Sequence, residues 1–234
     1  MIAMPSLTLT RRPVLVPASL LALAIVPVVA GVVRLAGLVT GQASAADARF
    51  FEYPLPVTLH ILAVIPYSVL GALQFAPALR RRGWHRAVGR PLVLSGLLTA
   101  LTGLWMAQVY PWPEGDGEAL YVMRLIVGMA MALSIGRGVT SLWRHDYTAH
   151  GAWMLRGYAL GMGAGTQVLT HLPWFVFAGG TPDELSRAVM MGLGWVINVA
   201  VAEYVIRTRL TAPARVAPRP PREMRASTVQ GAEG

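Results

Sequence analysis

Four of the five histidines form two pairs according to where they lie along the apolar segments of this 234-residue chain. His60 and His171 lie toward one end of these segments, and His85 and His150 lie toward the other. Imidazole nitrogens serve as axial ligands of haem b, which needs no covalent attachment to the protein. Histidines on the interior faces of a helical bundle could hold two such haems. We therefore predict His60 with His171 and His85 with His150 as cofactor-binding ligand pairs, with no metal beyond haem iron.

A second interpretation of the same histidines is structural. Imidazoles at a membrane surface can contact lipid phosphate, and imidazoles within a bundle can cap or bridge helices. On this interpretation His85 and His150 are interfacial residues, whereas His60 and His171 connect helices. The histidines alone do not decide between haem ligation and this structural role.

Small and polar residues share the predicted helix face of His60. At about 100° per residue, Tyr67, Gly71 and Gln74 all lie near His60 around the helix axis. A polar stripe of this kind is costly in lipid, so it should face the interior of the bundle.

A glycine face follows His150 on a later helix, where Gly157, Gly161 and Gly165 recur every four residues. This doubled GxxxG pattern lets another backbone or a flat cofactor approach closely. We predict that the face takes part in close packing, in cofactor contact, or in a homo- or hetero-oligomer.

The composition places these residues in a membrane protein. Hydrophobic residues make up 55% of the chain and charged residues 13%, against about 25% charged residues in soluble domains. A bundle in lipid needs charge only at its two ends, because its sides face acyl chains.

Six apolar runs are long enough to cross a bilayer as helices, for which about 20 residues suffice. The sequence therefore predicts an all-α integral membrane protein, a bundle of six transmembrane helices. The domains would be an N-terminal tail at 1–12, a transmembrane domain at 13–207 and a disordered basic tail at 208–234. The six runs cover residues 13–38, 56–78, 91–112, 119–142, 152–177 and 187–206.

Charged residues divide between the two ends of these runs. The connections at 80–90 and 137–150 are rich in arginine, whereas the connections at 47–52, 114–118 and 183–184 carry the acidic residues. Short loops rich in arginine stay on the cytoplasmic side of multi-pass proteins. We predict a bacterial cytoplasmic membrane protein with both termini in the cytoplasm and with anionic lipid headgroups at its basic face.

The first run also resembles a signal peptide. Arg11 and Arg12 precede it, and Ala43-Ser44-Ala45 follows it as a cleavage-like site. The run is longer than the core of about 7 to 15 residues that signal peptides usually have, so we favour a retained helix, which would act as a signal anchor.

Several function classes are disfavoured. The net charge of +9 comes from arginines that lie between apolar runs, which favours lipid headgroups over nucleic acid. The chain has no cysteine, which excludes disulfides, thiolate metal sites and covalent haem attachment. No nucleotide-binding loop, HExxH helix or GxSxG elbow is present, which argues against ATPase and hydrolase activities.

Five polar residues inside the apolar runs have simpler explanations than chemistry. Arg124 and Arg187 near one end, and Arg156 and Glu203 near the other, are typical of snorkelling or paired charges. Asn198 is typical of a hydrogen bond between helices.

Two stretches together resemble a known family: HILAVIPYSVLGALQFAPALRRRGWHRAVGR, at 60–90, and HGAWMLRGYAL, at 150–160. They are similar to the bacterial membrane proteins grouped as domain of unknown function 2306, whose pattern has a GxxQF-like motif, an arginine, HRxxGR and later HxxWMxR. The likeness covers roughly residues 56–207 and implies a membrane protein without assigning an activity. The matching positions are Gly71, Gln74, Phe75, Arg80, His85, Arg86, Gly89, Arg90, His150, Trp153, Met154 and Arg156.

Three functions stay open at this stage. The first is electron transfer by bis-histidine haem b, although the fourth run lacks the histidine that di-haem b cytochromes place there. The second is a non-enzymatic membrane carrier or scaffold with structural histidines. The third is an enzyme in which the HRxxGR and HxxWMxR segments meet, with His85 or His150 as general acid or base near Arg86 and Arg156.

Overall fold

The computed structural model describes residues 14–42, 47–76, 79 and 83–210, and it confirms the predicted all-α class for them. A π-helical turn at Ile206–Leu210 follows the last helix. The predicted tail at 1–12, the cleavage-like site at 43–45, Arg80 and residues 211–234 lie outside the described residues. The helices are α1 (Leu15–Thr40), α2 (Arg49–Glu52), α3 (Pro54–Leu73), α4 (Trp84–Val109), α5 (Glu118–Trp143), α6 (Tyr147–Gly161), α7 (Gly163–Phe177) and α8 (Glu184–Val205).

Within the described residues, five helices are long and apolar enough to cross a membrane, namely α1, α3, α4, α5 and α8 with the first residues of the turn that follows it. Many of their large apolar side chains are exposed, including Val33 at 65%, Leu133 at 63% and Val196 at 63%. Such exposure is unfavourable in water and favourable in lipid. The chain is therefore a multi-pass membrane protein, but the predicted count of six spanning helices is not confirmed.

The difference arises in the predicted run at 152–177, which is divided between α6 and α7. Each has 15 residues, too few to span the bilayer alone. Met162 lies between them with φ −79° and ψ 3°, outside helical geometry, and is flanked by two glycines. Glycine has a low helix propensity, so an interruption costs least at this point.

Both halves of the interrupted segment pack along α8 in antiparallel register. Arg156 of α6 pairs with Glu203 near the end of α8, and the Thr170 hydroxyl of α7 donates to the Met190 carbonyl near its start, at 2.7 Å. Between these contacts, Asn198 donates to a backbone carbonyl of α6 and accepts from a hydroxyl of α7. The predicted interhelical role of Asn198 is confirmed, and of the two roles predicted for Arg156 and Glu203, snorkelling or paired charges, the structure shows pairing.

The third predicted span begins earlier than its proline suggested. α4 starts at Trp84, directly after Gly83, whose φ of 70° requires the left-handed region that glycine tolerates. Pro91 was expected to start the helix but lies within it, where it removes one backbone hydrogen bond near the helix start. His85, predicted to lie in a loop, is therefore on the first turn of α4.

Two tyrosines and three glycines set the distances between the central helices. A Cβ atom on Gly96 or Gly161 would lie 2.6 or 2.8 Å from the Tyr67 ring, which real side chains do not tolerate. The Tyr158 ring lies against Gly71 in the same way. The centroids of the two rings are 5.7 Å apart, within the range of favourable aromatic pairs. α3, α4 and α6 are thus joined by one layer of tyrosine-on-glycine contacts.

The predicted glycine face is buried inside this packing. Gly157, Gly161 and Gly165 lie against α5, α3 and α1 respectively. The close approach that the GxxxG pattern predicted is made by helices of the same chain, so these glycines are already covered within it.

The acidic connections lie together at one end of the bundle, here called the acidic end. Arg49 donates to the carbonyl of Pro111 at 3.0 Å, which joins the first connection to the second. Asp116 accepts from Arg187 at 2.6 Å, which joins the second to the start of α8. The opposite end, where the arginine-rich connections lie, is called the basic end.

Candidate functional site

A cavity of about 310 Å³ lies among the helices and reaches the acidic end. Small-molecule sites in proteins usually have about 300 to 1,000 Å³, so this intrabundle cavity is large enough for a small ligand. Residues from α2 to α8 and the connection at 111–113 surround it. Its lining consists of Arg49, Phe50, His60, Val64, Thr99, Ala100, Gly103, Met106, Ala107, Tyr110, Pro111, Trp112, Pro113, Arg124, Val127, Gly128, Met131, Leu160, Gly161, Ala164, Gln167 and Trp195.

His60 is the histidine in this lining, and its tautomer follows from its neighbours. Its Nδ1 lies 3.0 Å from the Thr102 hydroxyl oxygen. That hydroxyl donates its own hydrogen to the carbonyl of Leu98, so it can only accept from His60. The hydrogen-bond network therefore assigns the proton to Nδ1 and leaves the lone pair on Nε2. Nε2 is then the ring nitrogen that can accept a hydrogen bond.

Gln167 and Thr99 are the other uncharged polar residues in the deeper part of the cavity. The Gln167 amide donates to the carbonyl of Met191 at 3.0 Å, and the Thr99 hydroxyl donates to the carbonyl of Ser95 at 2.8 Å. Both side chains are buried. They add polar character to an otherwise apolar cavity.

A shared carboxylate organises the acidic end beside the cavity. Asp116 accepts from Arg124 at 2.5 Å through one oxygen and from Arg187 at 2.6 Å through the other. Its side chain is only 1% exposed. Of the two roles predicted for these arginines, snorkelling or paired charges, the structure shows pairing. The shared carboxylate connects α5, the connection before it and α8.

Arginine also surrounds an aromatic cluster at this end. The guanidinium carbons of Arg34 and Arg49 each lie 4.7 Å from the centroid of the Phe50 ring, within the range of cation–π contacts. Phe50 packs edge-on against Tyr110, whose hydroxyl donates to the carbonyl of Tyr53. Burial is the main cause that lowers the pKa of Arg49, and the nearby charge of Arg34 adds to it.

The other histidines of the predicted ligand pairs have partners of their own. The Nδ1 of His171 lies 2.7 Å from the carbonyl of Gln167, and its ring stacks on Phe175. His171 does not line the intrabundle cavity that His60 lines. The Nδ1 of His150 lies 2.8 Å from the carbonyl of Gly138. No group of three or more metal-ligating side chains occurs within the described part of the chain.

The two stretches that carried the family resemblance pack against each other. Tyr158, from the second stretch, lies against Gly71 and 5.3 Å from the Phe75 ring, measured between ring centroids, and donates to the carbonyl of Ser68 at 2.8 Å. Gln74 ends α3 in the first stretch, and Arg86 lies on the first turn of α4.

The second stretch is also anchored at the basic end. The guanidinium carbons of Arg137 and Arg156 lie 4.9 and 4.6 Å from the Trp153 ring centroid. Arg156 forms a two-point ion pair with Glu203, and Met154 lies against Gly138. Trp153 and Arg156 therefore connect α6 to α5 and α8.

The helical fold, the lipid-facing surface and the internal cavity define a multi-pass membrane protein with room for a small molecule. The chain belongs to the family of predicted membrane proteins DUF2306, whose model matches residues 57–206. The resemblance seen in the two stretches is thereby confirmed. Comparison with curated proteins and with solved structures gave no match.

Sequence reasoning missed three residues of this region: Gln167, Arg49 and Asp116. Gln167 could have been noticed, because a glutamine in the middle of an apolar run is costly unless it has a partner. Arg49 and Asp116 lie in polar connections, where charged residues are ordinary. No local pattern distinguishes them from their exposed neighbours.

Replacing the shared carboxylate should destabilise the fold. In Asp116→Asn, two arginines that are 29% and 26% exposed lose their counterion. Loss of one partner from a buried ion pair costs about 3–5 kcal/mol, and partial exposure should reduce this to about 2–3 kcal/mol. The matched control is Asp47→Asn, because the Arg34–Asp47 pair is 36% and 25% exposed and should contribute about 1 kcal/mol or less. The melting temperatures of the two variants are compared by thermal unfolding in detergent. Equal losses of stability in both variants would contradict the prediction.

Proposed function

We propose that this membrane protein binds a small, mainly apolar molecule in the intrabundle cavity, as a carrier or receptor rather than as an enzyme. The observation that carries the proposal is the intrabundle cavity of about 310 Å³, whose mainly apolar lining also contains His60 and a few other polar residues. A ligand with a hydroxyl or N–H group could donate to Nε2 of His60.

Apolar side chains supply most of the expected binding free energy. Val64, Ala100, Met106, Val127 and Met131 line the cavity along with other apolar residues. A ligand that buries apolar surface here gains about 25 cal/mol per Å² removed from water. Binding sites of this type combine a mainly apolar lining with a few polar groups that orient the ligand.

The polar residues of the lining would orient the bound ligand. His60 and Gln167 line the same cavity from α3 and α7, two helices that are far apart in the sequence. A hydrogen bond between a ligand and a buried protein group contributes about 0.5–1.5 kcal/mol net. A ligand that donates to His60 Nε2 would gain this contribution, whereas a purely apolar ligand of the same shape would not.

Filling the cavity should abolish ligand binding without unfolding the protein. Gly103 lines the cavity, and a Cβ atom there would lie 3.5 Å from the His60 ring, an ordinary contact. We expect Gly103→Leu to weaken binding of the neutral probe 1-aminoanthracene at least tenfold, because the leucine side chain would occupy the ligand's space. Binding is measured in lipid nanodiscs by energy transfer from tryptophan, since Trp112 and Trp195 line the cavity.

The matched control for this experiment is Gly136→Leu. Gly136 is also a helical glycine, but a Cβ atom there meets open space. Gly136→Leu should leave saturable binding of the probe unchanged. The non-saturable signal from probe dissolved in the bilayer should be the same for wild type, Gly103→Leu and Gly136→Leu. Equal binding by wild type and Gly103→Leu, with similar melting temperatures, would refute the proposal.

A haem b held by His60 is the second candidate. The observation that favours it is the anchored Nδ1–H, which is how imidazole ligands of metals are usually oriented. If haem binds here, Nε2 of His60 would be the atom that coordinates the iron. Bis-histidine ligation by His60 and His171 has less support, because His171 lies outside the cavity lining and its Nδ1 is engaged with α7.

Absorption spectra distinguish the two candidates. We expect protein purified after expression with ample haem to show no Soret band and no sharp α-band after dithionite reduction. A reduced α-band that disappears in His60→Leu and persists in His145→Leu would replace the small-molecule proposal with the haem one.

We also propose six membrane crossings, with α6 and α7 together forming one interrupted span. This count returns both termini, including the tails at 1–12 and 208–234, to the basic end. The arginine-rich connections favour a cytoplasmic location for that end in a bacterial inner membrane, where anionic headgroups would meet it.

The orientation can be tested with single cysteines, because the chain has none of its own. Glu114 is exposed at the acidic end and Arg144 is exposed at the basic end. In intact cells, a membrane-impermeant maleimide should label Glu114→Cys and leave Arg144→Cys unlabelled until the membrane is opened. Labelling of Arg144→Cys in intact cells would reverse the proposed orientation.

A further inference from the structure

Arg49 is a half-buried cation whose hydrogen bonds are incomplete. It lines the intrabundle cavity, and its Nη1 donates to the carbonyl of Pro111 at 3.0 Å. Its Nε is buried and has no hydrogen-bond partner. Among the ion pairs of the described residues, none involves Arg49. A buried guanidinium with an unused donor is unfavourable unless an acceptor reaches it.

The interior of the acidic end contains more positive than negative charge. Among the described residues, four partly buried arginines lie there and two carboxylates form ion pairs with them. Asp116 is shared between Arg124 and Arg187, and Asp47 pairs with Arg34. The fourth cation, Arg49, lines the cavity and has no ion pair within this described part of the chain.

The remaining acidic residues of this end do not cancel the excess. They are exposed, so water and salt screen their charges more than the charges inside the end. An anion that entered the cavity would meet the partly buried arginines without this screening. The exposed acidic residues are Glu52, Glu114, Glu118, Asp183 and Glu184.

We propose that the cavity takes an amphiphilic anion, a molecule with an apolar body and a carboxylate or phosphate group that pairs with Arg49. This inference rests on the proposed function and adds the charge of the ligand to it. The anionic group lies at the acidic end, where Arg124 lines the same cavity. The rest of the molecule occupies the remainder of the cavity, whose lining is mainly apolar. Charge-assisted hydrogen bonds between guanidinium and such anions are among the stronger ones in proteins.

Arg34 provides a matched control for Arg49. Both guanidinium carbons lie 4.7 Å from the Phe50 ring, but only Arg49 lines the cavity. Arg34→Gln and Arg49→Gln therefore remove the same charge from the same cluster. A difference between them reports direct contact with the ligand rather than the general electric field.

The experiment compares hexanoate with 1-hexanol, which have the same chain length and differ in charge. Each competes with 1-aminoanthracene for the protein in nanodiscs. On the wild type, hexanoate should displace the probe at about tenfold lower concentration than 1-hexanol, once its weaker partition into the bilayer is corrected for. Arg49→Gln should remove this advantage, which is the ratio of the two displacing concentrations measured on the same variant, so that a change in probe affinity cancels. Arg34→Gln should keep most of it, and Arg49→Lys should retain part.

The outcomes separate the two proposals. If the probe does not bind in a saturable manner, the proposed function fails and the anion inference fails with it. If the probe binds but hexanoate has no advantage over 1-hexanol, only the anion inference is overturned. If Arg34→Gln and Arg49→Gln lost equal parts of the preference for hexanoate over 1-hexanol, the anion inference would also be overturned. The preference would then come from the electric field of the whole acidic end. Melting temperatures within a few degrees of wild type show that each variant is folded.

Discussion

The contact of Tyr67 and Tyr158 with glycines is the constraint on which the bundle depends. In lipid, apolar helices gain little from the hydrophobic effect when they associate, so close packing must supply the stability. The two rings occupy spaces that exist only because Gly71, Gly96 and Gly161 lack side chains. Any larger residue at these positions would push α3, α4 or α6 outward. The distances between the central helices therefore follow from this one layer.

The cavity is a consequence of the same layer. Gly161 lies against Tyr67 and Met131, and Gly161 and Met131 also line the cavity. The tyrosine layer therefore forms one wall of the cavity. Toward the acidic end the helices are joined instead by charged residues, chiefly by the carboxylate of Asp116. Polar contacts hold the helix ends together at the surface but leave the space beneath them unfilled. A tightly packed layer and a charged end thus enclose a space large enough for a ligand.

The interruption between α6 and α7 fits this arrangement. The segment must pack along α8 through both of its halves, and it must also admit Tyr67 beside Gly161 and α1 beside Gly165. A helix with side chains at these positions could not approach all of its neighbours. Glycines satisfy the packing but weaken the helix, and the break at Met162 is the result. Asn198 compensates by hydrogen bonding to both halves.

The sequence by itself determined the all-α class, the membrane environment and the approximate helix positions, because hydropathy and charge are local properties read over about 20 residues. It also indicated that Arg156 is a snorkelling or paired charge and that Asn198 bonds between helices, because polar groups in lipid are costly unless they are paired. It placed His60 on an interior face, but the tautomer depends on Thr102 of another helix, which no local pattern relates to it. Only the tertiary structure placed Arg49 beside a cavity, with no ion pair among the described residues, because a cavity forms where several distant segments fail to fill a common space. The division of the fifth predicted run was likewise decided by packing, since its apolar content alone is that of a continuous helix.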